Sequence, residues 1–389
     1  MKHAHIFISL LMLLHCSSGP HEEDSTIFAN QPTVGDETSV STEPPSATGN
    51  VKFLYSTNES FKTVSKINLE NFTLVKNIST GKTLDILAAS DDGNFVVVND
   101  RMENYLTFID TKNDSTKNVS LSVINITDIK ISKTSNEIFI LSSDKQMEVI
   151  HLDESLAISS QEVISLATDP HKIEVSDNFV VLFGSSDTTL LYFNPSTPSS
   201  INQAMVCTTV TAAQFYATDK YIFLACGKEF VIFDLENNTT RDSETLDFTP
   251  LDMIMNASHT TLYMATVASS DTIIIRNYTS LETPITLSET RASVSDLSSI
   301  KMLFYHEGEA DTTPKLLILS DEELVALNLS TNTIASRYAL LKDPLKIHDY
   351  KDALFVTHAN SLGLLTKIDV INSSITTLEG FALDGWFDR

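Results

Sequence analysis

The side chains that most often do chemistry are sparse in this chain and do not fall into a known catalytic order. Beyond residue 50 the histidines are His151, His171, His259, His306, His348 and His358, and they share no common place in the chain's periodicity. A His-Glu-x-x-His pair would supply metal ligands and a base, Gly-x-Ser-x-Gly a nucleophilic serine, and an EF-hand loop a calcium cage. None is present. Gly81-Lys82-Thr83 ends like a phosphate loop, but Lys76 stands where the opening glycine would be, so the backbone cradle is missing. The cysteines are Cys16, Cys207 and Cys226, too few for a disulfide framework or a zinc site. Cys207 and Cys226 fall in different units of the repeat described next, and are read as two buried free thiols.

One constellation remains. Asp85, Asp128, Lys172, Gln214, Asp252, Lys301, Lys346 and Asp384, with His171 beside Lys172, recur at intervals of 38 to 49 residues, each near the start of a short apolar segment. Gathered into a ring, these acids, bases and one amide would form a polar funnel for a cation such as Ca²⁺ or for a small polar ligand. The alternative is a solvated rim of compensating charge with no ligand. No catalytic residue and no dedicated cofactor or metal site is read from them.

The elements that must position them repeat from Val51 onward. An apolar strand leads to a polar turn, and a second apolar strand ends in Asp or Asn, as in FVVVNDRMENYLTFID (95–110) and YIFLACGKEFVIFD (221–234). The closing residues are Asn68, Asp110, His151, Asn194, Asp234, Asn277, Asn328 and Asp369, separated by 42, 41, 43, 40, 43, 51 and 41. Asp and Asn suit this place because their side chains bond the backbone just ahead. The long step contains an extra polar loop, HEGEADTTP (306–314). A short polar strand follows each turn. A further apolar strand then opens the next unit, three of them after Pro170, Pro250 and Pro344. The apolar runs are short, β-branched and bounded by turns, which favours strands over helices.

Four strands per unit of about 40–45 residues predict a β-propeller blade. The fold expected is all-β, with eight four-stranded blades over residues 51–389. Seven blades is the alternative, if the first or last unit lies outside the ring. The first unit lacks an opening strand, and the tail, aligned as Leu383-Asp384-Gly385-Trp386 on Leu84-Asp85-Ile86-Leu87, supplies one. The repeat resembles the YVTN/YncE-like β-propellers, relatives of lactonase-like and surface-layer repeat proteins. The resemblance lies in the strand–turn–strand unit ending in Asp or Asn and in the turn Ser90-Asp91-Asp92-Gly93. It implies extracytoplasmic binding or scaffolding, with a few enzymatic relatives.

The first 50 residues differ. Lys2 precedes the apolar run Ile6–Leu14, of signal-peptide length and too short to span a bilayer. Leu13-Leu14-His15-Cys16-Ser17-Ser18 resembles a bacterial lipobox, which implies acylation of Cys16 as the chain's membrane tether. Cleavage after Ser18 or Gly19 is the competing reading. Residues 1–18 are thus expected to be an export signal, and 19–50, acidic and rich in Ser and Thr, a flexible linker. Twelve Asn-x-Ser/Thr sequons are present, where composition alone gives about five. The bacterial reading of Cys16 assigns them to turn chemistry, and the alternative is a secreted, N-glycosylated protein. A formal net charge of −25 argues against nucleic acid as partner. Three functions follow: a monomeric, non-catalytic binding or interaction scaffold outside the cytoplasm, preferred; a lactonase-like hydrolase working at the funnel; and a surface-layer or adhesion component.

Overall fold

The computed structural model describes residues 53–387 apart from 59–61, 82–85, 91–92, 101–102, 133–136, 154–156, 185–187, 208, 267–271, 295–296, 298, 342, 359–363 and 380–384. The described residues form strands and no helix, in eight four-stranded antiparallel sheets arranged as a ring. Seven sheets are built in chain order, inner strand to outer. In blades 2 to 8 the inner strands are Ile86–Ala89, Ile126–Ile131, Lys172–Val175, Ala212–Phe215, Asp252–Met255, Met302–His306 and Pro344–Tyr350. Blade 1 takes its inner strand, Gly385–Phe387, from the tail. That strand pairs with Phe53–Asn58, which continues outward to Thr63–Asn68 and Thr73–Ser79. The eight-bladed expectation is met and the seven-bladed alternative is excluded. The tail's register is one residue off the alignment above: Gly385 faces Ser56 as Leu87 faces Val98, so Gly385 is equivalent to Leu87 and not to Ile86.

The runs that lack strict alternation are second and third strands buried on both sides. Phe95–Asn99 and Tyr221–Cys226 have no exposed residue. Successive side chains on a strand point to opposite faces, so each strand feeds two interfaces. Val97 packs with Ile129 and Ile138 of blade 3, while Val96 and Val98 pack with Tyr55 and Val64 of blade 1. Eight apolar clusters result, one between each pair of neighbouring blades. The one that joins blade 8 to blade 1, Leu54, Ile67, Leu69 and Phe72 against Phe355 and Leu365, closes the circle.

The turns form as their residues dictate. Asn68 accepts the N–H of Glu70, Asp110 that of Lys112, Asn328 that of Ser330 and Asp369 that of Asn372. Four residues after Asn68, Asp110, Asp234, Asn328 and Asp369 the chain takes the left-handed conformation, at Phe72, Asp114, Asn238, Asn332 and Ser373. Because paired strands alternate in direction, the connections alternate between the two faces of the ring. Inner strands start on a front face, shared by the blade-to-blade connections and the turns between second and third strands. The back face carries the turns from inner to second strand and from third to outer strand. The extra loop 307–314 lies on this back face in blade 7, between Met302–His306 and Lys315–Leu319. It docks on blade 8, where Asp352 accepts the N–H groups of Ala310 and Asp311 at 3.1 Å each.

The cysteine expectation is corrected. Cys207 and Cys226 form a disulfide, with Cα atoms 6.0 Å apart. They belong to different repeat units by sequence, but Cys207 lies in the connection into blade 5, and Cys226 ends that blade's second strand. Both therefore reach the front face. There Thr211 donates its N–H to Ala225 O at 2.8 Å, which holds the connection alongside the strand. Cys16, the signal and the linker lie outside the described residues.

Candidate binding site at the central channel

Seven inner strands with described side chains share one register. Leu87, Ile129, Ile173, Ala213, Met253, Leu303 and Ile347 are buried between blades. The residues next along, Ala88, Lys130, Glu174, Gln214, Ile254, Phe304 and His348, are all half-buried. A position half-buried in every blade, beside one fully buried in every blade, marks the wall of the channel. The residue before the buried one lines the channel's front mouth. It is Asp128, Lys172, Ala212, Asp252, Met302 and Lys346 in blades 3 to 8.

Of the residues expected at the rim, Asp128, Lys172, Asp252 and Lys346 thus share one level. Gln214 sits two residues further in, level with Lys130 and Glu174. Lys301 precedes the mouth position, and its ammonium is spent on Asp321 at 2.9 Å and on Pro344 O at 3.4 Å. His171 lies at the strand's start and donates its backbone N–H to Phe183 O at 2.9 Å. Asp85 and Asp384 lie outside the described residues. The sequence reading missed Lys130, Glu174, Ile254, Phe304 and His348. Period-two alternation from the mouth position would have found them.

Two aspartates at the mouth tie neighbouring inner strands together. Asp128 accepts the N–H of Ile129 at 3.0 Å and, across the blade boundary, that of Ile173 at 2.9 Å. Asp252 does the same with Met253 at 2.8 Å and Leu303 at 2.7 Å. Even so, burial pushes the Asp252 carboxyl up to about 6, with Glu174 adding to the rise from two blades away. Asp252 at the mouth and Glu174 on the wall thus face one channel. Lys130 is held above the ordinary ammonium range by Glu174 and, secondarily, Asp128, against the opposing effect of its own burial. The channel is therefore two-sided. Blades 3 and 4 present Asp128, Lys130, Lys172 and Glu174. Blades 6 and 7 present the apolar side chains Ile254, Met302 and Phe304, with Asp252 as the one acid beside them at the mouth.

Among the described residues no three His, Cys, Asp or Glu side chains converge to hold a metal ion. Two clefts also open between blades. One of about 220 Å³ is lined by Phe95, Phe108 and Lys117, and one of about 130 Å³ by Phe230, Tyr278 and Arg276. In the second, buried Arg276 is already committed to Glu244 and to Glu289 at 3.0 Å. Both are below the size of most small-molecule sites.

No family model and no curated protein matches the chain. Solved structures do. The dihydro-heme d1 dehydrogenase NirN in complex with DHE aligns with a TM-score of 0.71 at 11% identity, covering 89% of this chain and 77% of NirN. AztD from Citrobacter koseri aligns at 0.62 and 9% identity over 87% of this chain and 98% of AztD. Sqt1 from Saccharomyces cerevisiae aligns at 0.61 and 9% identity over 76% and 84%. At these identities the likeness is one of fold: this chain is an eight-bladed β-propeller, similar in architecture to proteins of unrelated sequence.

Proposed function

We propose that the chain is an exported binding protein that holds one small amphiphilic ligand carrying both charges at the front mouth of its channel, without converting it. The observation that carries this reading is the two-sided wall. Lys130 and Glu174 are half-buried on one arc, where ionic contacts are stronger than in bulk water, and Ile254 and Phe304 offer apolar surface on another. A ligand with a charged end and an apolar end matches both.

A hydrolytic role is less favoured. Asp252, whose carboxyl burial raises to about 6, has both oxygens occupied by backbone N–H groups and is poorly placed as a general base. Solution of NirN in complex with DHE supports a small molecule as ligand for a propeller of this architecture. The resemblance to YVTN/YncE-like propellers supports a binding role outside the cytoplasm, as does the apolar run Ile6–Leu14.

A thermal-shift panel of amino acids, short peptides and quaternary-ammonium acids tests the proposal. At least one zwitterion should raise the melting temperature of the wild type. The double variant Lys130→Gln/Glu174→Gln, which leaves no uncompensated charge, should fold and lose that shift. A panel without effect, or a shift that survives in the double variant, overturns it.

A further inference from the structure

The sequons occupy surface positions and are unevenly divided between the two faces. Of the eleven sequon asparagines with described side chains, none is buried. Asn71, Asn113, Asn237, Asn238 and Asn372 lie in the turns between third and outer strands, all exposed. Asn256, Asn277 and Asn328, half-buried, lie at the same back-face end of their blades. Asn77 and Asn118 are exposed on outer strands. Only Asn58 and Asn125 mark the front face, where the inner strands begin.

Turn chemistry accounts for part of this pattern. Asn113, Asn237 and Asn372 each donate Nδ2–H to the Asp that begins the turn, at 2.8, 2.8 and 2.9 Å. That bond requires the asparagine and not the hydroxyl two residues later, yet Ser115, Thr239 and Ser374 are all present and exposed. Nor does turn chemistry apply to Asn77 and Asn118, since strands disfavour asparagine. Their partners Ser79 and Ser120, two residues on, stand exposed on the same strand face. The Cys207–Cys226 disulfide adds that the domain belongs in an oxidising environment, which a eukaryotic secretory route supplies and the cytosol does not.

We infer that the chain is an N-glycoprotein of a eukaryotic secretory route, with its oligosaccharides on the back face and outer strands and the front mouth of the channel left bare. The bare mouth rests on the binding reading above; the modification does not. In the transfer, the side-chain nitrogen of asparagine bonds to the anomeric carbon of an oligosaccharide carried on a polyprenyl pyrophosphate. The carbon–oxygen bond to the pyrophosphate breaks, the lipid pyrophosphate leaves, and the amide gives up one proton. One N–H remains on each modified nitrogen as a donor. This places the chain with the simply cleaved signal and against acylation of Cys16.

The test is the intact mass of the full protein from its native source, before and after peptide-N-glycosidase, with peptide mapping of the Asn-to-Asp conversions that the enzyme leaves. The mass should exceed that of the polypeptide and fall on treatment, with conversions at Asn71, Asn77, Asn113, Asn118, Asn237 or Asn238, and Asn372. An unchanged mass, or an acylated Cys16 with intact asparagines, overturns the inference. Conversions confined to Asn58 and Asn125 overturn its assignment of faces. None of these outcomes bears on the ligand panel, so the two proposals fail separately.

Discussion

Replacing Asp252 with Asn should change how the protein's stability depends on pH, and the size of the change follows from the channel. The carboxyl ionises near 3.8 in an unfolded chain and near 6 in the ring. The folded protein therefore binds this proton more tightly, and ionisation costs stability. That cost is absent below about pH 4, grows between pH 4 and 6, and is complete above about pH 6.5. A difference of two pKa units corresponds to about 3 kcal/mol. For a body the size of Asn50–Arg389 the entropy of melting is about 0.7 kcal/mol per degree, so the cost is about 4 °C in Tm. Asp252→Asn removes the charge and also one acceptor for the N–H groups of Met253 and Leu303, a fixed penalty of about 1–3 kcal/mol at every pH. The absolute Tm of the variant can thus fall on either side of the wild type. The difference, variant minus wild type, should still rise by about 4 °C from pH 4 to pH 7.5. Scanning calorimetry across that range measures it. Parallel curves would show that Asp252 does not carry a desolvated charge, and the low-dielectric channel would go with it.

Three further changes test the ring. Gly308→Ala places a Cβ against Asp352 Oδ1 and forces the carboxylate off Ala310 and Asp311, at a cost of about 1–3 kcal/mol by thermal melting; an unchanged Tm would show that the loop 307–314 is not docked. Replacing Cys207 and Cys226 together by Ser opens a bridge between residues 19 apart, worth about 3 kcal/mol from chain entropy, and reductant should lower the wild-type Tm to that of the variant. Deleting residues 382–389 removes the inner strand of blade 1 and leaves the edge of Phe53–Asn58 open, so the truncated protein should melt lower and self-associate in light scattering.

The repeat was legible because each blade states the same local chemistry. Asp110 and Asp369 must bond the backbone two or three residues ahead, and runs such as Phe95–Asn99 can be buried only if both faces are covered. The channel was half legible. Inner strands are as short as three residues, and their starting points carry no marker as firm as the Asx turn, so Lys301 and Gln214 were aligned with Asp128 although they sit one residue before and two residues beyond its level. Alternation, once anchored at Asp128 and Asp252, leads directly to Lys130 and Ile254. The disulfide was hidden because sequence period assigns Cys207 and Cys226 to separate units, whereas the connection that carries Cys207 runs back along the blade holding Cys226.

The measurement closest to the central claim, that the propeller's first and last described strands meet to close one ring around the channel, is a cross-link. In the register of blade 1, Ser56 faces Gly385, and facing residues on antiparallel strands lie about 4.5–5.5 Å apart at Cα, within reach of a disulfide. The double variant Ser56→Cys/Gly385→Cys, oxidised and digested, should yield a disulfide-linked peptide pair joining the two ends of the propeller. Free thiols at both positions in a folded, soluble protein would mean that the ring is not closed by the tail.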